Sequence, residues 1–301
     1  MSTRSRRRFD DDDLDRRARQ PIRHALSRPS LTDADSPRDP RDPDDGDESG
    51  EQHSTYADDG TTRGPAPVPA WVITSPAAID TDAGVLKTGK EADVSLLRRS
   101  VGAAESWLAA KRYRAAEHRL FHRDAGYLEG RRVRRSRETR AMARRTDFGR
   151  ELIAGQWAAA EFAMLSRCWS AGIAVPYPVQ LRGTEVMMEF MGDDGVAAPR
   201  LAETRPDPGV AAGWFAQITA AVMGLAELGY AHGDLSAYNV LARDDRLVLI
   251  DLPQAVDLVG NPQGLAYLHR DCQNICGWFT VRGVHADPIA LYEKARQTLA
   301  H

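Results

Sequence analysis

The string H-G-D-L-S-A-Y-N, His232 to Asn239, followed by L-V-L-I-D ending at Asp251, concentrates carboxylate and amide groups in a short span. Asp234 and Asn239 stand five positions apart, and Asp251 follows twelve further on, across an apolar hairpin pattern. Phosphoryl transfer asks for such a set: a carboxylate beside the acceptor hydroxyl, and hard oxygen ligands for a magnesium ion that bridges nucleotide phosphates. In that chemistry Asp234 is the base or positioning group, and Asn239 and Asp251 are the metal ligands. A turn rich in Asp and Asn would explain either residue alone, but not the whole string.

Upstream, S-W-L-A-A-K-R-Y puts Lys111 at the end of a β pattern, and A-A-A-E-F-A-M-L puts Glu161 inside a helical one. A lysine on an apolar strand is costly to bury unless an acid meets it, and such a pair can position α- and β-phosphates. Alone, Lys111 would read as an edge-strand gatekeeper. Its order ahead of Glu161, Asp234, Asn239 and Asp251 favours the chemical role. A phosphate-covering loop should precede it, and K-T-G-K-E-A-D-V, Lys87 to Val94, stands there. This is neither G-x-G-x-x-G nor a Walker A loop, yet Gly89 lets the backbone turn and aim N–H groups at phosphate, helped by Thr88 and Lys90.

Short strands are expected around Gly84 to Leu86, Asp93 to Leu97 and Ser106 to Arg112, then Val179 to Leu181 and Glu185 to Phe190. A helix should run from Glu151 to Gly172, a second from Gly213 to Leu228, and the hairpin V-L-A-R-D-D-R-L-V-L-I-D should turn at D-D-R. The remainder reads as helical, with Pro262 and Pro288 as breakers. A mostly β half followed by a mostly α half is an α+β pattern of two lobes with a cleft between them. Between Tyr113 and Arg150 lies an Arg-dense stretch without an apolar stripe, read as a mobile insertion or a solvated helix.

The chain has 301 residues, of which 42% are hydrophobic, and a net charge of −3, so no global field marks a nucleic-acid binder. Residues 1–70 are poor in apolar groups and rich in runs such as R-D-P-R-D-P-D-D-G-D-E, a composition that cannot offset its chain entropy; a disordered mixed-charge tail is expected there. The N-terminal basic residues lack a following apolar region, which argues against a secretory signal. The most apolar stretch falls short of the ~20 residues of a bilayer span, so no membrane partner is expected. Three cysteines, Cys168, Cys272 and Cys276, make no disulfide framework and suit a reducing, cytoplasmic setting. Cys272, Cys276 and His269 share a helical face and read as partly buried, reduced thiols beside a histidine.

Together these strings resemble the RIO-type atypical serine/threonine protein kinases, nearest the Rio-one branch and its bacterial relatives, over about Gly84 to Phe279. The likeness rests on T-G-K-E-A-D-V, on A-A-K around Lys111 and on W-A-A-A-E-F around Glu161. It continues through A-G-I-A-V-P-Y-P-V, M-M-E-F-M-G, H-G-D-L-S-A-Y-N, I-D-L-P-Q and L-H-R-D-C-Q-N. The resemblance implies a two-lobed kinase-like domain over 71–301, with a small antiparallel β N-lobe at about 71–190. The C-lobe, about 191–301, would be short and mostly helical, since about 50 residues after Asp251 are too few for an activation segment and a peptide-binding subdomain.

It further implies ATP and Mg2+ as cofactors, catalytic roles for Asp234, Lys111 and Asp251, and metal ligation by Asn239 and Asp251. Nucleotide contacts would come from Thr88, Gly89, Lys90, Glu91, Val94, Lys111 and Glu161, with adenine on the backbone of Glu189 and Met191 beyond Met188. The substrate would be protein, with turnover as a kinase or as an ATPase switch. RNA or a ribosomal particle could be held by the Arg-dense segment 131–145. Two other readings are a small-molecule phosphotransferase of the aminoglycoside or choline kinase type, which shares H-G-D-L-x-x-x-N, and a non-catalytic scaffold on RNA. Lys87 and Ser95 depart from the family pattern, Lys87 standing where a small hydroxyl residue is frequent.

Overall fold

A computed structural model describes residues 50–114 and 147–299. The Arg-dense segment 131–145 and most of the expected tail lie outside them. Three strands of ten residues, β3 (Ile79–Thr88), β4 (Ala92–Val101) and β5 (Ala104–Tyr113), form the centre of the N-terminal lobe. The turn between β4 and β5 has two residues, with Gly102 first at φ 59, the geometry that matches strand twist. With β6 (Pro178–Arg182) and β7 (Glu185–Glu189) these belong to one antiparallel sheet. All but β7, which stops one residue short of its expected end at Phe190, exceed the expected spans because their outer ends are polar and carry no alternation to read.

The tail expected over 1–70 is corrected at its C-terminal end. Residues 50–64 lie across the lobe, with β1 (Glu51–His53) paired to β3 and β2 (Thr62–Arg63) paired to β6, giving the order β1-β3-β4-β5-β7-β6-β2. Between them Tyr56 packs with Leu97, Leu108, Tyr177 and Met187, and Gln180 donates to the Thr55 hydroxyl at 2.8 Å. Beneath this strap Arg99, wholly buried, makes a bidentate pair with Asp80 at 2.7 and 2.8 Å and donates to Gln180. Gly64 passes so close that a Cβ would stand 2.0 Å from the Pro178 carbonyl. Burial of a few apolar groups and the bridge that Gln180 makes between Thr55 and the buried Arg99 thus order a segment whose composition reads as disordered.

Helix α1 (Asp147–Ser170) packs on the sheet and ends at Gly172, φ 75, where the Ile173 N–H reaches the Cys168 carbonyl in a Schellman closure. The C-terminal lobe is built around α2 (Pro208–Glu227), α3 (Gly264–Thr280) and α4 (Pro288–Thr298), with the hairpin β11 (Val240–Arg243) and β12 (Arg246–Leu249). Two-residue pairings, β8 (Gly192–Asp193) with β9 (Val196–Ala197) and β10 (Tyr230–Ala231) with β13 (Val256–Asp257), complete the strands. By length and composition α2 could cross a membrane, yet Trp214, Ile218, Val222 and Leu225 lie in the core of this lobe. Cys168, Cys272 and Cys276 are free and fully rather than partly buried in that core, and burial pushes their thiols up to about 12, 12 and 11. His269 turns instead to Tyr292.

Candidate active site

Lys111 lies in the cleft between the lobes. Its strand is half covered, and its Nζ meets Glu161 Oε1 of α1 at 2.8 Å and Asp251 Oδ1 at 2.8 Å. Burial works against the lysine charge, but the two carboxylates outweigh it and hold the ammonium above its ordinary value. Glu161 is 1% exposed and spends its second oxygen on the Tyr113 hydroxyl, at 2.6 Å. Tyr113 follows Lys111 by two on the same strand, so the strand's alternation puts both on one face. Burial and the Glu161 charge raise its phenol well above the usual range.

Asp251 takes φ 66, in the left-handed region. The residue before it is fixed on both sides: the Ile250 N–H donates to the Asn239 carbonyl at 3.0 Å, and the Ile250 carbonyl accepts from His232 Nε2 at 3.1 Å. Asn239 donates its amide to the Asp234 carbonyl at 2.8 Å, with Asp234 Oδ2 at 3.4 Å. The loop Gly233 to Leu235 hangs on Asp271 of α3, whose carboxylate accepts from the Gly233 N–H at 2.8 Å and the Leu235 N–H at 2.9 Å. Burial raises the Asp271 carboxyl against the pull of these donors. Gly233, at φ 84, has the Gln254 carbonyl 2.5 Å from where a Cβ would be. The Arg270 guanidinium donates to the Gly233 carbonyl.

Thr88, Gly89, Lys90 and Glu91 form the turn from β3 to β4, closed by the Gly89 N–H on the Ala92 carbonyl at 3.0 Å. Val94 is opposite Lys111 on the next strand. At the lobe connection Met188 is half-buried, the Glu189 N–H is taken by the Tyr177 carbonyl, and the Met191 carbonyl accepts from Ala198. The fold therefore brings Lys111, Glu161 and Asp251 into one contact and ties Asp234, Asn239 and Asp251 through a hydrogen-bonded loop. Asp271 and Tyr113 carried no role in the sequence reading. An acid on the apolar stripe Leu268, Cys272, Ile275 was the available signal for the first, and period-two spacing from Lys111 for the second.

Among the described residues no group of three or more His, Cys, Asp or Glu forms a metal cage. Asn239 and Asp251 suit instead a magnesium ion that keeps waters and takes further oxygens from phosphates.

The family model described as the RIO domain matches residues 105–291. The RIO-type serine/threonine-protein kinase Rio1 of Haloferax volcanii is 36% identical over 216 residues, covering 71% of this chain and 69% of that protein. Rio1 of Methanocaldococcus jannaschii is 32% identical over 214 residues, covering 70% and 67%. The serine/threonine-protein kinase RIO3 of Caenorhabditis elegans is 37% identical over 129 residues, but the match spans only 25% of its length. Among solved structures, the Rio2 kinase of Chaetomium thermophilum in an ADP/Mg2+-phosphoaspartate complex shares the fold, with TM-score 0.53 and 23% identity, covering 72% of this chain and 62% of that one.

Proposed function

The chain belongs to the RIO family of serine/threonine kinases, and from that membership we propose that it transfers the terminal phosphoryl group of ATP to protein hydroxyls, with magnesium, at the Lys111–Asp251 cleft. The observation that carries this is the lysine held at 2.8 Å by carboxylates from both lobes. Glu161 keeps the ammonium in place, and Asp251 can release it toward α- and β-phosphates. Magnesium supplies charge neutralisation at the phosphates. Asp251 through its carboxylate and Asn239 through the amide oxygen, its nitrogen being committed to Asp234, are the residues that would hold it. Asp234 accepts the hydroxyl proton. The backbone N–H groups of the Thr88 to Glu91 turn cover the phosphates, aided by Lys90, beneath Val94. The Glu189 carbonyl and the Met191 N–H meet adenine, with Met188 behind. Three buried thiols fit a reducing cytoplasm, and a protein or RNA-bearing partner for the segment 131–145 belongs to this same proposal.

Radiolabelled ATP with magnesium, scored for labelled protein, labelled chain and free phosphate, tests it. Label on serine or threonine is expected; neither label nor ATP turnover would refute the reading. A second reading, an ATPase switch working through an aspartyl phosphate, is favoured by the phosphoaspartate named for the Rio2 complex. Hydroxylamine-sensitive label on this chain, with phosphate released on standing, is its signature. A small-molecule phosphotransferase has no counterpart among the relatives named above, all of which are named as RIO kinases.

A further inference from the structure

Lys87 stands in β3 one residue before the turn Thr88 to Glu91. Its register is the informative feature: Lys87 pairs with Val94, and Val94 pairs with Lys111. Residues directly opposite each other in antiparallel strands present side chains to the same face. Lys87, Val94 and Lys111 therefore form one row on the cleft side of the sheet. At ~4.8 Å per strand, the two lysines are roughly 10 Å apart at the backbone.

Their surroundings differ. Lys111 is saturated by Glu161 and Asp251, and the neighbouring cations Arg112 and Arg114 are paired with Glu185 and Asp93. Lys87 is exposed and, among the described residues, makes no hydrogen bond or ion pair. An unpaired ammonium on a long flexible stem, on the same face of the sheet as a second ammonium and at the mouth of the phosphate-covering turn, is suited to an anion between the two.

We propose that Lys87 is a further phosphate ligand of this site, contacting the terminal phosphate of ATP and setting the preference for triphosphate over diphosphate. The proposal rests on the nucleotide reading of the cleft. Lys111 takes the inner phosphates from the Glu161 side, and Lys87 closes on the outer one from β3. Because Lys87 is exposed and unpaired among the described residues, its removal changes the stability of the empty fold little.

Calorimetric binding of ATP, ADP and adenosine, with magnesium, to the full chain, to Lys87→Ser and to Lys87→Arg tests this. Lys87→Ser should lose about tenfold in ATP affinity, the size of one charge-assisted hydrogen bond, less for ADP and nothing for adenosine. Lys87→Arg should restore most of the loss, and all three proteins should melt together. Unchanged ATP affinity in Lys87→Ser, or an equal loss for adenosine, overturns the assignment while leaving the kinase reading intact. Failure of the unsubstituted chain to bind ATP would overturn both.

Discussion

Asp251 stores strain where chemistry is expected. A non-glycine residue in the left-handed region costs about 1–3 kcal/mol, and here it persists because Ile250 is pinned by Asn239 and His232 and the carboxylate is pinned by Lys111. Burial alone would raise the Asp251 carboxyl, but Lys111, with His232 and Lys87 behind it, holds the carboxyl below its ordinary value of 3.8. A depressed carboxyl stabilises the fold above its unfolded-state value, and that contribution disappears as pH falls through the folded value. Asp251→Asn, which tolerates the same backbone angle, should therefore melt below the unsubstituted chain at neutral pH. The gap should narrow as pH is taken below about 4; a gap independent of pH would show that the charge contributes nothing. Asp234 is tied mainly through its own carbonyl, its carboxylate meeting Asn239 only at 3.4 Å, so Asp234→Ala should leave ATP binding intact while cutting transfer by roughly 10²–10⁴-fold in a labelled-ATP assay. Asp234 and Asn239 were legible because H-G-D-L-S-A-Y-N packs them into eight positions, and Asp251 because it closes the apolar hairpin pattern that follows. Lys111 and Glu161, fifty residues apart, became a pair only through the resemblance and the order of motifs.

Helix α3 governs the loop it never joins in sequence. Its Asp271 holds two N–H groups of Gly233 and Leu235 with a buried carboxylate, so the loop's shape depends on an acid that touches no reacting group. Asp271→Asn keeps the size and loses one acceptor and the charge. A stability loss of about 1.5–3 kcal/mol is expected from chemical denaturation, since hydrogen bonds to charged groups are of that order. The turnover number should fall more than the KM for ATP rises, because Asp234 is displaced while the Lys111 side of the cleft is untouched. Equal losses in both would assign Asp271 to general folding alone. At this scale the long helices and the β11–β12 hairpin were readable from period and turn residues. Two-residue pairings such as β10 with β13 were not, because Tyr230 and Asp257 are distant in sequence and two residues carry no period to read.

Across the whole chain, the strap over residues 50–64 and the ion pair beneath it act as one structure. Asp80→Ala leaves Arg99 charged, buried and half unpaired, and should cost about 3–5 kcal/mol in denaturant unfolding. Replacing both, Asp80→Leu with Arg99→Met, should recover most of it; a double variant as weak as the single one would mean that the lobe depends on the pair's geometry rather than on avoiding a lone charge. None of this was visible in the sequence, where E-Q-H-S-T-Y-A-D-D-G offers no alternation and β1 is exposed along its length. Its order comes from edges supplied by β3 and β6, the latter more than a hundred residues later. Those edges are thereby spent at residues 79–81 of β3 and 180–181 of β6. Beyond them the sheet ends in strands of three and two residues, too short to template an incoming strand. At those two stretches a partner finds no edge for β-augmentation, in which a borrowed backbone ladder supplies affinity with little regard to sequence; there it has to be chosen side chain by side chain.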